Sequence, residues 1–261
     1  MLNSRILPAL VSICVTRADW ALTFEDNFDG AVLNTTTWNV RQNETHCEPC
    51  EPQLYLQSRL EVSNGSLIIH TARDHVVGPG GQIFNYSSGW VDTSKNGFSQ
   101  LYGRFAASIR LPPQNATGVW PAFWLMPIGN QCWPTGGEID VFEYTANPIE
   151  NAVFGTYRWG TSCGNDEQPL PGAAYPPTGA PAIDWSAAFH EFAVEWNATS
   201  MAFLVDNNIY EVVTPTGGRV WPTAAQYVIL NTAIAWYWPP DSTAVYPVTM
   251  EVDWVKVWQW V

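Results

Sequence analysis

Apolar residues in this 261-residue chain recur with period two, in short segments cut apart by glycine and proline. That alternation restricts the fold more than any other feature. In residues 102–111 (YGRFAASIRL), Phe105, Ala107, Ile109 and Leu111 fall on one face, and Arg104, Ser108 and Arg110 on the other. Residues 66–71, 191–196, 201–205 and 251–260 read as strands in the same way. Asp206-Asn207-Asn208 stands between two apolar runs as a hairpin turn. No long stretch carries helical spacing, and residues 185–189 would make one short turn at most. No repeat or linker divides the chain. Residues 164–184, rich in Pro, Gly and Ala, read as a long surface loop because strand patterns continue on both sides. The expectation is an all-β chain: one antiparallel β-sandwich over residues 19–261.

The first 18 residues are expected to stand outside that domain. Arg5 precedes a ten-residue apolar run at 6–15, too short to span a bilayer, and Thr16 and Ala18 are small residues at a cleavage-like site. Residues 1–18 therefore read as a secretory signal, which predicts a secreted, extracellular protein. Sequons at Asn34, Asn43, Asn64, Asn85, Asn115 and Asn197 agree with export. Removing Cys14 with the signal leaves Cys47, Cys50, Cys132 and Cys163, an even number that fits disulfides. Four cysteines allow three pairings, and spacing does not choose among them. The pairing expected is Cys132 with Cys163, leaving Cys47 with Cys50. A zinc site at Cys47 and Cys50 is the rival, but no second CxxC or paired histidine completes it. Formal net charge is −13, and losing Arg5 and Arg17 with the signal makes it −15. Such a surface repels nucleic acid and anionic lipid and favours a neutral over a sulfated polysaccharide. No segment after the signal is apolar enough to cross a membrane, and a monomer is expected.

The segment that carries chemistry is residues 135–144 (TGGEIDVFEY), where Glu138, Asp140 and Glu143 interrupt an otherwise apolar strand. Burying carboxylates is costly, so a core strand does not carry three without cause. A solvated outer strand or a calcium loop would also accommodate them. In a regular strand Glu138 and Asp140 share a face and Glu143 points away. One extra residue near Val141-Phe142, a β-bulge, returns Glu143 to the face of Glu138. Their α-carbons would then stand roughly 13 Å apart, and side chains leaning together would bring the carboxyls to about the 5–5.5 Å of a retaining glycosidase. In that arrangement Glu138 is the nucleophile, Glu143 the general acid/base whose pKa rises beside a second carboxylate, and Asp140 the group between them that modulates proton sharing.

The surroundings of these acids are similar to a known family. Residues 136–143 (GGEIDVFE) resemble the active-site strand of glycoside hydrolase family 16, in its laminarinase-like (endo-1,3-β-glucanase) branch, which carries the extra bulge residue. The resemblance extends through Ser88-Gly89, residues 102–105, 119–126 (VWPAFWLM), Gly155-Thr156, 189–196 (FHEFAVEW), 228–231 (VILN) and 252–258 (VDWVKVW). It implies a β-jelly-roll with a concave glycan cleft, and a retaining endo-β-glucanase acting on β-1,3 or mixed β-1,3/1,4 glucan through Glu138, Asp140 and Glu143. A non-catalytic glucan-binding protein and a cell-wall transglycosylase on the same scaffold are the alternatives. By resemblance Trp120, Trp124 and Trp133 would stack on sugar rings, with Trp238 a further candidate among the 15 tryptophans, and Arg104 and Asn231 would donate to hydroxyls. No cofactor is implied for catalysis; a structural calcium is, with Asp253 contributing. Two positions depart from the family pattern. Arg158 stands where a histidine is usual, and Ala235-Trp236-Tyr237-Trp238 replaces a Gly-Gly pair before a tryptophan. Both are expected at the cleft rim.

Overall fold

The period-two segments become the strands of two sheets that share one core. The structure, a computed structural model, describes residues 19–46, 51–95, 97–146, 151–168 and 172–261. Among them one sheet has ten strands and the other eight. In the first, Gly103–Arg110 lies between His190–Trp196 and Val248–Trp260. In the second, Val119–Pro127 lies between Glu138–Tyr144 and Gln226–Ile234. Pairing is antiparallel throughout, except that Gln53–Tyr55 runs parallel to Ile83–Ser88.

Alternation decides which side chains meet between the sheets. Phe105, Ala107, Ile109, Phe192, Val194 and Phe203 come from the first sheet. They join Val119, Phe123, Leu125, Ile139, Val228 and Leu230 from the second in a single buried cluster. Each large side chain removed from water there stabilises the fold by roughly 1.5–3 kcal/mol. The predicted hairpin forms between Met201–Val205 and Asn208–Val213. Its central residues Asp206 and Asn207 take φ of 49° and 62°, the left-handed pair that a type I′ turn requires and that Asp and Asn tolerate.

Strand ends were less legible. The segment read as 66–71 continues to Val77, and the C-terminal strand begins at Val248. In the Ser66–Val77 strand burial fades after Ala72, so no core contrast marks the extension. Residues 185–189 form turns without a helix, and the helical content described is two three-residue 3-10 turns. No helix among the described residues is long and apolar enough to cross a membrane. Cys132 and Cys163 form a disulfide with Cα atoms 5.4 Å apart. The expected signal at 1–18 and the Cys47–Cys50 pair lie outside the described residues. The asparagines of all six sequons are exposed.

Candidate active site

The acid-bearing strand is bulged where the sequence requires it. Across one edge, Phe123 pairs with Phe142 and Trp124 with Asp140, so Val141 has no partner of its own. The register with Val153–Arg158 slips over the same interval, between Asp140 and Glu143. The consequence shows in the side chains. Ile139, Val141, Phe142 and Tyr144 all enter the core between the sheets. Two consecutive core-facing residues mean that Glu138, Asp140 and Glu143 emerge together on the outer face of the eight-stranded sheet. Gly137, at φ 79° immediately before Glu138, makes a turn that a side chain would strain, and an added Cβ would lie 3.0 Å from the Tyr157 hydroxyl.

Each glutamate receives one indole hydrogen bond. Trp133 Nε1 donates to Glu138 Oε2 at 2.7 Å, and Trp120 Nε1 donates to Glu143 Oε1 at 3.1 Å. Arg158, directly opposite Glu138 on the neighbouring strand, lies against all three acids: 3.2 Å from Asp140, 3.5 Å from Glu143 and 3.6 Å from Glu138. A guanidinium that reaches all three fixes them on one face. Arg158 is thus central to the acids and not a rim residue.

Only one raised pKa was expected from two neighbouring carboxylates, yet all three acids are raised. Burial is the leading cause for each. It pushes Glu138 up to about 7, with the charge of Glu143 adding and Arg158 opposing. Asp140, 2 % exposed, is held well above the ordinary carboxylate range, by burial and then by the charges of Glu138 and Glu143. Glu143 is raised by burial against the pull of Arg158. A proton residing on Asp140 can be donated in a hydrogen bond to either glutamate and so support the ionised form of one of them.

The remaining predicted residues divide by sheet. Trp124 is nearly buried on the same outer face, among Tyr55, Trp90, Ala122 and Ile229. Its Nε1 donates to Asn231 Oδ1 at 2.7 Å, and Asn231 Nδ2 donates to the Tyr55 hydroxyl at 3.1 Å. Asn231, 4 % exposed, therefore braces Trp124 from below. Trp133 is 40 % and Trp238 37 % exposed. Arg104 does not join the site. It lies on the ten-stranded sheet, ion-paired with Glu191 and Glu195 and bonded to Asn207. Its period-two neighbours correctly placed it outward, but on the opposite side of the molecule from the acids. Asp253 is also on the ten-stranded sheet, where it accepts from Ser108 Oγ at 3.4 Å. Among the described residues no group of three or more His, Cys, Asp or Glu side chains could hold a metal. His190, read as structural, bonds Asp206 at 2.7 Å.

Sequence reasoning missed several contributors. Glu51, 9 % exposed, accepts from Gln53 and the Tyr55 hydroxyl and completes the network beneath Trp124. Arg41 stacks 3.8 Å over the Trp90 ring, and His46 lies 5.1 Å from that ring. Tyr237 meets Trp120 edge-on at 5.3 Å and bonds Thr145. Asp166 pairs with Arg158 at 2.9 Å. Only Tyr237 and Arg158 had a signal, as departures from the family pattern; the rest depend on loops whose paths periodicity does not encode.

Comparison with known proteins agrees with this geometry. The chain is 28% identical over 282 residues to a glucan endo-1,3-beta-glucosidase of Cryptopygus antarcticus, covering 99% of this chain and 100% of that one. It is 29% identical to a beta-glucanase of Rhodothermus marinus, over 93% of this chain and 86% of the relative. The solved laminarinase catalytic domain of Thermotoga maritima MSB8 superposes with a TM-score of 0.80 at 30% identity, covering 92% of this chain and 98% of that chain. The sequence pattern described as Glycosyl hydrolases family 16 matches residues 52–256, and with the bulged acid strand inside that span the chain belongs to glycosyl hydrolase family 16.

Proposed function

We propose that this chain is a secreted, retaining endo-β-1,3-glucanase that works by double displacement, with Glu138 as nucleophile and Glu143 as general acid/base. The observation that carries the reading is the Val141 bulge, which puts both glutamates on one face with a separate indole donor on each. Glu138 attacks the anomeric carbon as Glu143 protonates the departing glycosidic oxygen. Esterification removes the charge of Glu138, which lowers the pKa of Glu143, and Glu143 then takes a proton from the incoming water. A hydrogen bond from a protonated Asp140 favours the ionised form of Glu138 before attack, against the burial that raises its pKa. The exposed ring of Trp133 offers a face for sugar C–H groups, while Trp90 and Trp124 are covered by Arg41, His46 and Tyr55 and form the packing beneath the site. A net charge of −13 favours a neutral glucan. The exposed sequons and the Cys132–Cys163 disulfide support secretion. The test is release of reducing ends from laminarin, run beside barley mixed-linkage glucan and carboxymethyl cellulose. Turnover of laminarin is expected, and its absence beside an active control glucanase overturns the reading. Glu138→Gln should retain laminarin binding while losing turnover, whereas a purely binding protein would bind laminarin without turnover in both wild type and variant.

Transglycosylation has one observation in its favour. Tyr237, 50 % exposed, stands against Trp120, whose indole bonds the acid/base, and Trp236, 63 % exposed, packs edge-on against Tyr237. An acceptor sugar stacked there would compete with water for the glycosyl-enzyme. Products longer than the starting oligosaccharide should appear when laminari-oligosaccharide is added and should diminish in Trp236→Ala.

The disulfide joins two loops that serve the site, one carrying Trp133 and the other Asp166, and Gly164 N–H also donates to the Trp133 carbonyl at 2.7 Å. Closing a loop of 31 residues stabilises by about 3–4 kcal/mol in the chain-entropy picture. Cys132→Ser is expected to lower the melting temperature by roughly 5–10 °C and to lower kcat more than it raises KM. Calorimetry and steady-state kinetics with and without reductant check this.

A further inference from the structure

The Val153–Arg158 strand ends on a side chain with four acidic neighbours. Arg158 Nε lies 3.2 Å from Asp140 Oδ2 and 3.6 Å from Glu138 Oε1, and Nη2 lies 3.5 Å from Glu143 Oε2. Nη1 is taken by Asp166 Oδ2 at 2.9 Å. The Arg158 side chain is 24% exposed, so solvent screens these contacts only in part. Three of its contacts face the reacting groups and the fourth comes from outside them. Asp166 is itself held by its chain, accepting the Gln168 N–H at 2.9 Å, and it lies three residues beyond the disulfide.

The other groups around the guanidinium are few. The Glu138–Tyr144 strand contributes the three acids. The loop after Arg158 contributes Asp166, and also Glu167, whose carboxylate is turned to Thr161. The Val119–Pro127 strand and the loop before Glu138 contribute the neutral indoles of Trp120 and Trp133. The Gln226–Ile234 strand contributes the Tyr227 phenol on the Glu138 side of the acids, where it feels Glu138 and more strongly Asp92. Arg41 also acts on Tyr227, and among the described residues the ion pairs of Glu138, Asp140 and Glu143 are all with Arg158. Arginine does not lose its charge at any pH an enzyme works at.

Resting on the glucanase reading above, we propose that Arg158 is a positioning residue for the reaction and that Asp166 aims it. Its permanent charge holds the three acids in their arrangement and keeps the nucleophile ionised at lower pH than a neutral side chain would allow. Asp166 sets how much of that charge the catalytic acids receive. The two residues therefore act with opposite sign on the same titration.

The experiment compares Arg158→Met, Arg158→Lys and Asp166→Asn with the wild type. The kcat/KM profile on laminarin gives the acid limb of the free enzyme. Glutamate side-chain carboxyl titration by carbon-13 NMR gives the same information without turnover. An opposite charge within about 4–6 Å moves a carboxyl by roughly 1–3 units, so Arg158→Met should raise the acid limb by about one pH unit or more. Asp166→Asn should move it down, by less. Arg158→Lys should leave the limb near its wild-type place and lower kcat, because the charge remains while the fork that spans three acids is gone. Limbs that do not move, or that move in the same direction in the Met and Asn variants, overturn the proposal. If Arg158→Met does not fold, a downward shift in Asp166→Asn supports the proposal and an unmoved limb overturns it. A wild type that turns over no glucan defeats the glucanase reading alone, since the NMR titration still decides the role of Arg158.

Discussion

Glu138→Ala is expected to lose laminarin turnover by on the order of 10⁴-fold or more, with KM little changed. The loss is large because, among the described residues, neither of the other two acids is placed to form the covalent intermediate. Asp140 is nearly buried and accepts from Arg158, and Glu143, which accepts from the Trp120 indole, serves the leaving oxygen in the mechanism proposed above. Removing the side chain also leaves a space beneath the anomeric carbon that a small anion can fill. Azide added to Glu138→Ala, with an activated aryl β-glucoside, should restore part of the rate and yield an α-glycosyl azide, because the anion attacks from the face the carboxylate occupied. Chromatography and proton NMR of the azide product check this. A variant with more than a tenth of wild-type activity, or a β-azide as the product, contradicts the assignment.

Glu143→Ala is expected to fail differently. General acid catalysis contributes roughly 10²–10⁴-fold when the leaving group is a sugar hydroxyl. Laminarin turnover should fall by about that factor. An aryl glucoside whose phenol departs without a proton should still glycosylate Glu138 at near the wild-type rate. The intermediate then accumulates, because no base remains to activate water, and a burst of phenol should precede a slow steady state. Azide needs no base, so it should relieve the second step and give a β-glycosyl azide. The pair of variants thus yields opposite azide anomers from two carboxylates on one strand. Equal losses on glucan and aryl substrates would remove Glu143 from the acid/base role.

The sequence revealed these acids for a physical reason. Glu138, Asp140 and Glu143 interrupt an apolar strand, and the odd spacing of the third makes sense only with an added residue, which the structure supplies at Val141. The core faces were legible for the same reason: Phe105, Ala107 and Ile109 keep strict alternation and enter the core together. What alternation cannot report is which of two sheets a strand joins. Arg104 was placed outward correctly yet lies on the far sheet, held by Glu191 and Glu195. Nor can it report how loops fold back. Asp166 reaches Arg158 across eight residues of chain, and Tyr55, on a strand of only three residues, links Asn231 to Gln53 and Glu51. Arg158 was visible only as a substitution against the family pattern. Its position opposite Glu138 follows from register, which sequence periodicity leaves undetermined.

The most direct test is the anomeric configuration of the first reducing ends released from laminarin, followed by proton NMR before mutarotation equilibrates them. Two successive displacements at one carbon, the first by Glu138 and the second by water that Glu143 activates, predict the β-anomer as the initial product. An α-anomer appearing first would mean a single displacement by water and would contradict the account of how this strand works.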